Sequence, residues 1–339
     1  MIIKSCKIVN FRNHDIFELN CWKETTMLSG ENGSGKTSIL EAIYEAMRGK
    51  SFRATDKEII KRGALFYRVE VEYTDGGKTV VVYEENGKKR FLVGDKTTAR
   101  LPKKYRYPVV LFEPDDLNLV NSSPSHRREY FDKWFGQLDE SYSSVLNRYN
   151  KALKQRNELL KDERASKEAL FSWNVMLSRL GVEIWKRREM MIGQINKKLT
   201  GVYQSIADNK DDEIEIRLRR DTMIGEESEY LRELENGFER DRVLGHTGFG
   251  VHRDNYEFWF NNRLAEGSAS RGEVRSIVVA LKFIEADMIL KSVGKAPVVL
   301  LDDVFSELDE TRQKALVYNF KKNQVIITSV NAVEDVEQS

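Results

Sequence analysis

The chain has 339 residues, of which 40% are hydrophobic and 32% charged, and its 55 basic and 54 acidic side chains give a formal net charge of +1. No apolar run approaches the roughly 20 residues of a membrane span, residues 1–11 lack the apolar core of a signal peptide, and the two cysteines are too few for a disulfide framework. We therefore expect a cytoplasmic protein with a sizeable core and no membrane partner, in which any basic surface is local.

Short apolar or alternating segments predict strands toward both ends of the chain. In chain order these are residues 2–10, 16–20, 26–29, 68–73, 79–83, 90–93, 109–112, 214–218, 256–260, 297–301 and 324–328. The continuous apolar run at 297–301 is typical of a buried strand in a parallel sheet.

The middle of the chain predicts helices. All five prolines lie outside residues 125–296, so nothing there interrupts a helix. Apolar residues recur every three or four positions across 139–207, which indicates at least two long helices with a break near 161–167. Shorter helices are predicted at 38–48 and 274–290.

One segment matches the phosphate-binding pattern G-x-x-x-x-G-K-[ST]: Gly30, Glu31, Asn32, Gly33, Ser34, Gly35, Lys36 and Thr37. Glycines let the backbone approach phosphate oxygens, and the N–H groups of the helix that begins near Ser38 form an anion site. The Lys36 ammonium would reach the β- and γ-phosphates, and the Thr37 hydroxyl would bind Mg²⁺. The alternative is a glycine-rich turn that binds nothing.

A pair of carboxylates, Asp302 and Asp303, follows the predicted buried strand at 297–301. At a strand's carboxyl end, Asp302 would hold Mg²⁺ directly or through water, and Asp303 would orient the attacking water. Alone, the pair is equally consistent with an acidic turn.

A second candidate anion site begins at Ser270, with Gly272 two residues later and an apolar helix after it. A serine at this position is ordinarily just the N-cap of a helix.

The order of these segments resembles the ABC-type ATPase heads of the SMC and recombination ATPases, and among them the RecF family. The resemblance extends over nearly the whole chain and also rests on Phe11-Arg12-Asn13, Ser123-Pro124, Arg127-Arg128, Phe131-Asp132 and the segments 40–44, 49–53, 112–117, 250–254, 270–273 and 300–309.

The resemblance implies an α/β fold, namely an ABC-type P-loop ATPase head of mixed sheets and flanking helices with an inserted helical domain. The head would combine residues 1–122 with 209–339. The inserted domain, residues 123–208, would help to form a clamp.

It also implies roles for individual residues. Ser270 would be the signature serine that contacts the γ-phosphate held by the other subunit of an ATP-dependent homodimer. Residues 306–309 would form the D-loop, and 328–329 would lie in the switch region. The catalytic set would then be Lys36, Asp302, Asp303 and Ser270.

Three departures from the family pattern stand out. Arg271 places a cation in the signature segment, Val251 replaces a proline, and the glutamine loop has no clear glutamine. Asp303 stands where ABC transporters carry glutamate, and its shorter side chain makes slow hydrolysis the expectation.

The function implied is that of an ATP- and Mg²⁺-dependent DNA-binding protein of repair and replication, with weak DNA-stimulated ATPase activity. It would recognise gapped DNA or junctions of single- and double-stranded DNA, and help RecO and RecR to load RecA. Two rivals remain open: a stand-alone nucleotide hydrolase without a DNA partner, and an adaptor that uses ATP only to dimerise. An ABC transporter subunit fits less well.

DNA contacts would be electrostatic and independent of sequence. Chosen from charge, the candidates are Lys88, Lys89, Arg90, Lys103, Lys104, Arg106, Arg127 and Arg128. Solvated surface charges are the alternative. Two more predictions stay open: Arg53 as a nucleotide contact, and His252-Arg253-Asp254 as either a functional loop or a structural ion pair.

Overall fold

The computed structural model describes residues 3–21, 24–162, 166–207, 209–220, 222 and 224–330. The chain divides into two compact units, one formed by Met1–Leu117 with Glu285–Ser339 and the other by Asn118–Ile284. Residue 2 of the first predicted strand lies outside the described part. The predicted boundaries of the inserted domain, at 123 and 208, stay a prediction.

The strands are β1 (Ile3–Phe11), β2 (His14–Asn20), β3 (Thr25–Ser29), β4 (Phe66–Tyr73), β5 (Lys78–Glu84), β6 (Lys89–Val93), β7 (Lys96–Thr98), β8 (Val109–Phe112), β9 (Ile214–Arg219), β10 (Asn255–Phe260), β11 (Arg263–Leu264), β12 (Val298–Asp302) and β13 (Val325–Ser329).

The α-helices are α1 (Lys36–Arg48), α2 (Asp56–Ile59), α3 (Pro124–Leu138), α4 (Glu140–Leu160), α5 (Lys167–Ala207), α6 (Glu227–Asn236), α7 (Phe238–Leu244), α8 (Arg271–Val293) and α9 (Glu310–Asn319). Short 3-10 turns occupy Lys103–Tyr105, Pro114–Asn121 and Phe305–Glu307. Of the described helices, none is long and apolar enough to cross a membrane.

Two sheets enclose α1 in the first unit. One is antiparallel, with the order β2-β1-β4-β5-β6-β7, and the other is parallel, with the order β3-β13-β12-β8. Helix α1 packs against both, and its Ile39, Ile43 and Met47 are buried in a core shared with Val69 and Leu300. Every residue of β12 is buried, which confirms the predicted parallel strand.

The second unit contains the predicted long helices. Helix α4 ends at Leu160 and α5 begins at Lys167, so the predicted break is present, although residues 163–165 within it lie outside the described part. The two helices pack on each other, and β9 and the six-residue strand β10 form a small antiparallel sheet with β11. Short helices α6 and α7 carry few buried apolar residues, and the apolar pattern did not predict them.

Candidate functional site

The predicted phosphate loop connects β3 to α1, as its sequence pattern requires. Gly33 and Gly35 adopt φ angles of 82° and 97°, in the left-handed region that favours glycine. At Gly35 a Cβ atom would also lie 2.3 Å from the His14 Nε2 atom and 2.6 Å from the Asn13 Oδ1 atom. This position therefore requires glycine for both its conformation and its packing.

The side chain of Lys36 folds back over the loop. Its ammonium donates hydrogen bonds to the carbonyl oxygens of Gly30, at 2.6 Å, and Glu31, at 3.0 Å, and the residue is 7% exposed. These bonds hold the positive charge at the mouth of the loop, within reach of an anion bound by the backbone N–H groups.

The parallel sheet brings the two distant acidic residues to the same place. Strand β13 pairs with β3 on one side and with β12 on the other, so the carboxyl ends of all three strands lie at one edge. There the Thr37 hydroxyl donates to the Asp302 Oδ1 atom at 2.7 Å. The two predicted Mg²⁺ ligands are therefore neighbours.

Burial raises the pKa of Asp302, and hydrogen bonds from the hydroxyls of Thr37 and Thr328 oppose that rise. Such a buried carboxylate beside a hydroxyl gains from a cation nearby. Among the described residues no group of three or more His, Cys, Asp or Glu is arranged to hold a metal ion. A metal here would thus need oxygen ligands from a phosphate or water in addition to Thr37 and Asp302.

Asp303 has an unusual backbone and an unpaired side-chain oxygen. Its φ angle is 51°, and its N–H donates to the Thr328 Oγ1 atom at 2.9 Å. Its Oδ1 atom is buried and has no hydrogen-bond partner among the described residues. Because a buried unpaired carboxylate oxygen is costly, this atom is suited to accept a hydrogen bond from water or to face a cation.

A cavity of about 580 Å³ opens over the loop. Asn32, Gly33, Gly35, Lys36, Thr37, Ser38 and Asp303 line it on one side, and Arg12, Asn13, Arg53, Glu58, Ile60 and Arg62 on the other. Arg53 was predicted here, whereas Glu58 and Arg62 were not, because no sequence motif marks them. The three arginines make this wall of the cavity favourable for an anionic ligand.

Arg12 is fixed by a buried acid on α1. Its Nε and Nη2 atoms donate to the two oxygens of Glu41, each at 2.9 Å, and Ser51 also donates to that carboxylate. The Arg12 φ angle is 56°. This two-bond contact attaches the β1–β2 turn to the phosphate-loop helix.

Ser270 belongs to the second unit and caps α8. Its backbone N–H donates to the Glu273 Oε2 atom at 2.6 Å, and its Oγ accepts from the Glu273 N–H at 3.3 Å. Gly272 lies in the first turn of this helix. The N-cap interpretation of Ser270 is therefore correct locally, and it leaves the predicted role across a dimer open.

The predicted DNA-contact residues differ widely in exposure. Lys88, Arg90, Lys103, Lys104 and Arg106 are exposed, and Arg90 is paired with Glu84. Lys89 is mostly buried and bonded to Glu45 and Asp56 at 2.7 and 2.5 Å. Burial raises the pKa of Glu45 to about 7. The Lys89 ammonium is therefore held by two carboxylates inside its unit.

Arg127 and Arg128 are also engaged within their unit. Arg127 is 2% exposed and donates to the Asn255 Oδ1 atom and the Val120 carbonyl, with Glu266 also in reach. Arg128 donates to the Asp254 carbonyl at 2.7 Å. These contacts argue against Arg127 as a DNA ligand, because its guanidinium has no surface to offer a phosphate.

The segment His252-Arg253-Asp254 is packed into the second unit. The His252 Nε2 atom lies 3.0 Å from the Thr247 carbonyl, which can only accept, so Nε2 carries the proton and Nδ1 accepts from the Tyr149 hydroxyl at 3.0 Å. Burial lowers the His252 pKa to about 4. Asp254 accepts from Arg188 at 2.7 Å. These contacts favour the structural interpretation of the segment.

Comparison with known proteins agrees with this geometry. Residues 1–169 match the family model of an AAA ATPase domain. The chain is 35% identical to the DNA replication and repair protein RecF of Ruminiclostridium cellulolyticum, over 98% of this chain and 93% of that protein. The chain belongs to the RecF family. RecF of Clostridium novyi is 33% identical, over 98% of this chain and 94% of that protein.

Solved structures extend the likeness to the fold. RecF with ATP, described as a recombination mediator protein of the RecFOR pathway, superposes with a TM-score of 0.87 at 27% identity, covering 99% of this chain and 93% of that one. An Smc head bound to the C-winged helix domain of ScpA superposes with a TM-score of 0.53 at 15% identity, covering 97% of this chain and 89% of that one. At this identity the likeness concerns the fold only. The ABC-type ATPase head predicted from the sequence is thus confirmed.

Proposed function

We propose that this RecF-family protein binds ATP with Mg²⁺ at residues 30–38 and uses the bound nucleotide to control its binding to DNA in the cytoplasm, with slow hydrolysis. The contact between Thr37 and Asp302 carries the ATP part of this proposal. It joins the phosphate loop to the buried acid, which is the arrangement that nucleoside triphosphate chemistry requires.

Each residue of the first unit would then have one task. The loop N–H groups and Lys36 bind the phosphates, and the Thr37 hydroxyl with Asp302 would hold Mg²⁺. When bound, Mg²⁺ would neutralise charge on the terminal phosphates. Asp303 would orient the attacking water through its unpaired oxygen. Its short side chain suits slow turnover.

The complete site would need a second copy of the chain. Ser270 and Gly272 would meet the nucleotide held by a partner subunit, with residues 306–309 crossing the same interface. A lone subunit would then hydrolyse ATP poorly, and Ser270→Arg would abolish ATP-driven dimerisation. If light scattering shows the same dimer with ATP for Ser270→Arg as for the native chain, the shared site is wrong.

The DNA part of the proposal rests on the family and on exposed cations. The named RecF relatives are DNA replication and repair proteins, and Lys88, Lys103, Lys104 and Arg106 are exposed. We infer that gapped DNA is the substrate and that RecO, RecR and RecA are the partners it serves.

Fluorescence anisotropy with a gapped duplex tests the whole proposal, with and without ATP and Mg²⁺ at two salt concentrations. We expect tight binding only with nucleotide, and weaker binding at high salt. ATP turnover that is independent of protein concentration and DNA would instead identify a stand-alone hydrolase. Nucleotide-dependent dimers with neither DNA binding nor turnover would identify an adaptor.

A further inference from the structure

Thr328 lies between the two halves of the candidate site. It is fully buried near the carboxyl end of β13, the strand that separates β3 from β12. Its register partners are Leu28 on the phosphate-loop strand and Asp302 on the acidic strand. The family resemblance placed residues 328–329 in the switch region, but it assigned Thr328 no contact with either acidic residue.

The hydroxyl of Thr328 contacts both acidic residues. It accepts the N–H of Asp303 at 2.9 Å and lies 3.0 Å from the Asp302 Oδ1 atom, with the Leu301 carbonyl more distant at 3.4 Å. An amide N–H can only donate, so it occupies a lone pair of the hydroxyl. The single hydroxyl proton then points to the nearer and charged acceptor, Asp302.

The same carboxylate oxygen receives a second hydroxyl proton. Thr37 donates to Asp302 Oδ1 at 2.7 Å, so two hydroxyl groups fix the orientation of this carboxylate. No hydrogen bond in the described part of the chain involves Asp302 Oδ2. The two bonds to Oδ1 therefore leave Oδ2 available to a ligand, while the Thr37 oxygen keeps a lone pair for the same ligand.

The bond to Asp303 holds a backbone in the left-handed region. Asp303 has a φ angle of 51°, a conformation that L-residues other than asparagine and aspartate rarely adopt. The Thr328 oxygen accepts this N–H and so holds the backbone from which the Asp303 side chain extends; in the described part of the chain the Oδ1 atom of that side chain is buried without a hydrogen-bond partner. One hydroxyl group thus binds the carboxylate of Asp302 and the backbone of Asp303.

We propose that Thr328 is a positioning residue that orients Asp302 for Mg²⁺ and Asp303 for water. This inference rests on the proposed nucleotide site and deepens it. Without the hydroxyl, the Asp302 carboxylate keeps only the bond from Thr37 and can rotate. The backbone N–H of Asp303 then has lost its acceptor. The contacts that the phosphate-loop backbone and Lys36 make with a nucleotide do not depend on Thr328.

The test compares Thr328→Val, which keeps the branched shape, with Thr328→Ser, which keeps the hydroxyl. Binding of a fluorescent ATP analogue is measured without metal and then titrated with Mg²⁺, together with kcat and the melting temperature. We expect Thr328→Val to raise the half-saturating Mg²⁺ concentration and lower kcat, each about tenfold, with less than a twofold change in metal-free binding. Thr328→Ser should be within about threefold of the native chain.

Thr26→Val is the matched control, since it removes a hydroxyl from β3 in the same sheet, and it should change none of these quantities. Native-like Mg²⁺ dependence in Thr328→Val would overturn the inference, as would an equal loss of metal-free binding, which indicates a structural role only. If the valine variant fails to fold, Thr328→Ala replaces it with the same expectations. Absence of Mg²⁺-dependent nucleotide binding in the native chain would instead refute the proposed function itself.

Discussion

The hydroxyl of Thr37 lies 2.7 Å from the carboxylate of Asp302, although 265 positions separate the two residues in the chain. Parallel pairing of β13 with both β3 and β12 produces this contact, because it aligns the carboxyl ends of the three strands. The site therefore forms only when the two ends of the chain have folded into one sheet.

Replacement of Asp302 by asparagine should abolish Mg²⁺-dependent ATP hydrolysis. Asp302→Asn keeps the size of the side chain and removes the negative charge that a metal ion requires, so we expect kcat to fall by about a hundredfold or more. Phosphate release assays at saturating ATP measure this. Glu310→Gln on α9 is the control and should retain native turnover; native turnover in Asp302→Asn would refute the assigned role.

Charge reversal at two exposed lysines tests the DNA surface. Lys103→Glu with Lys104→Glu should weaken binding to gapped DNA and reduce the slope of log K against log salt by about 2, since each phosphate contact contributes roughly 0.9. Anisotropy titrations at several salt concentrations give the slope. The control pair Lys321→Glu and Lys322→Glu, which are also exposed, should leave the salt slope unchanged. An unchanged slope for Lys103→Glu with Lys104→Glu would show that neither lysine contacts DNA.

Removal of Arg188 should destabilise the second unit severely. Its guanidinium is 1% exposed and pairs with Asp254 and Asp132 at 2.7 and 3.0 Å. Arg188→Ala would remove the paired charge from the buried Asp254 carboxylate and the partly buried Asp132 carboxylate, and should lower the free energy of unfolding in urea by about 3–5 kcal/mol. The neighbouring Arg187→Ala breaks partly exposed pairs and should cost less than about 1 kcal/mol. Equal losses in the two variants would contradict the buried network.

His252 should make the stability of the second unit depend on pH. Burial lowers its pKa from 6.5 to about 4, so the unfolded state binds protons that the folded state does not. The contribution of neutral, buried His252 to the free energy of unfolding is fully present above pH 6.5 and is lost as the pH falls toward 4. When the pH is lowered from 7.5 to 5, we expect the free energy of unfolding to fall by about 2 kcal/mol more in the native chain than in His252→Gln. His246→Gln should lose as much as the native chain, and identical pH profiles for His252→Gln and the native chain would refute this.

The sequence predicted the parts of the site that are local. The spacing of Gly30, Gly35 and Lys36 predicts a loop between a strand and a helix, and at Gly35 only glycine tolerates the backbone angle and the close packing found there. The apolar run before Asp302 likewise predicted a buried parallel strand, which is confirmed. The long helices followed from the same kind of local periodicity.

Charge alone did not reveal which cations are available for binding. Lys89 and Arg127 have the same formal charge as Lys103, yet their partners lie up to 139 positions away and hold them inside their units. A salt bridge or a buried hydrogen bond depends on which strands and helices become neighbours, and periodicity cannot show this. The phosphate loop and the acidic strand follow from local sequence pattern. The link that Thr328 makes between them does not, because only the strand order places its hydroxyl next to the Asp302 carboxylate and the Asp303 backbone N–H.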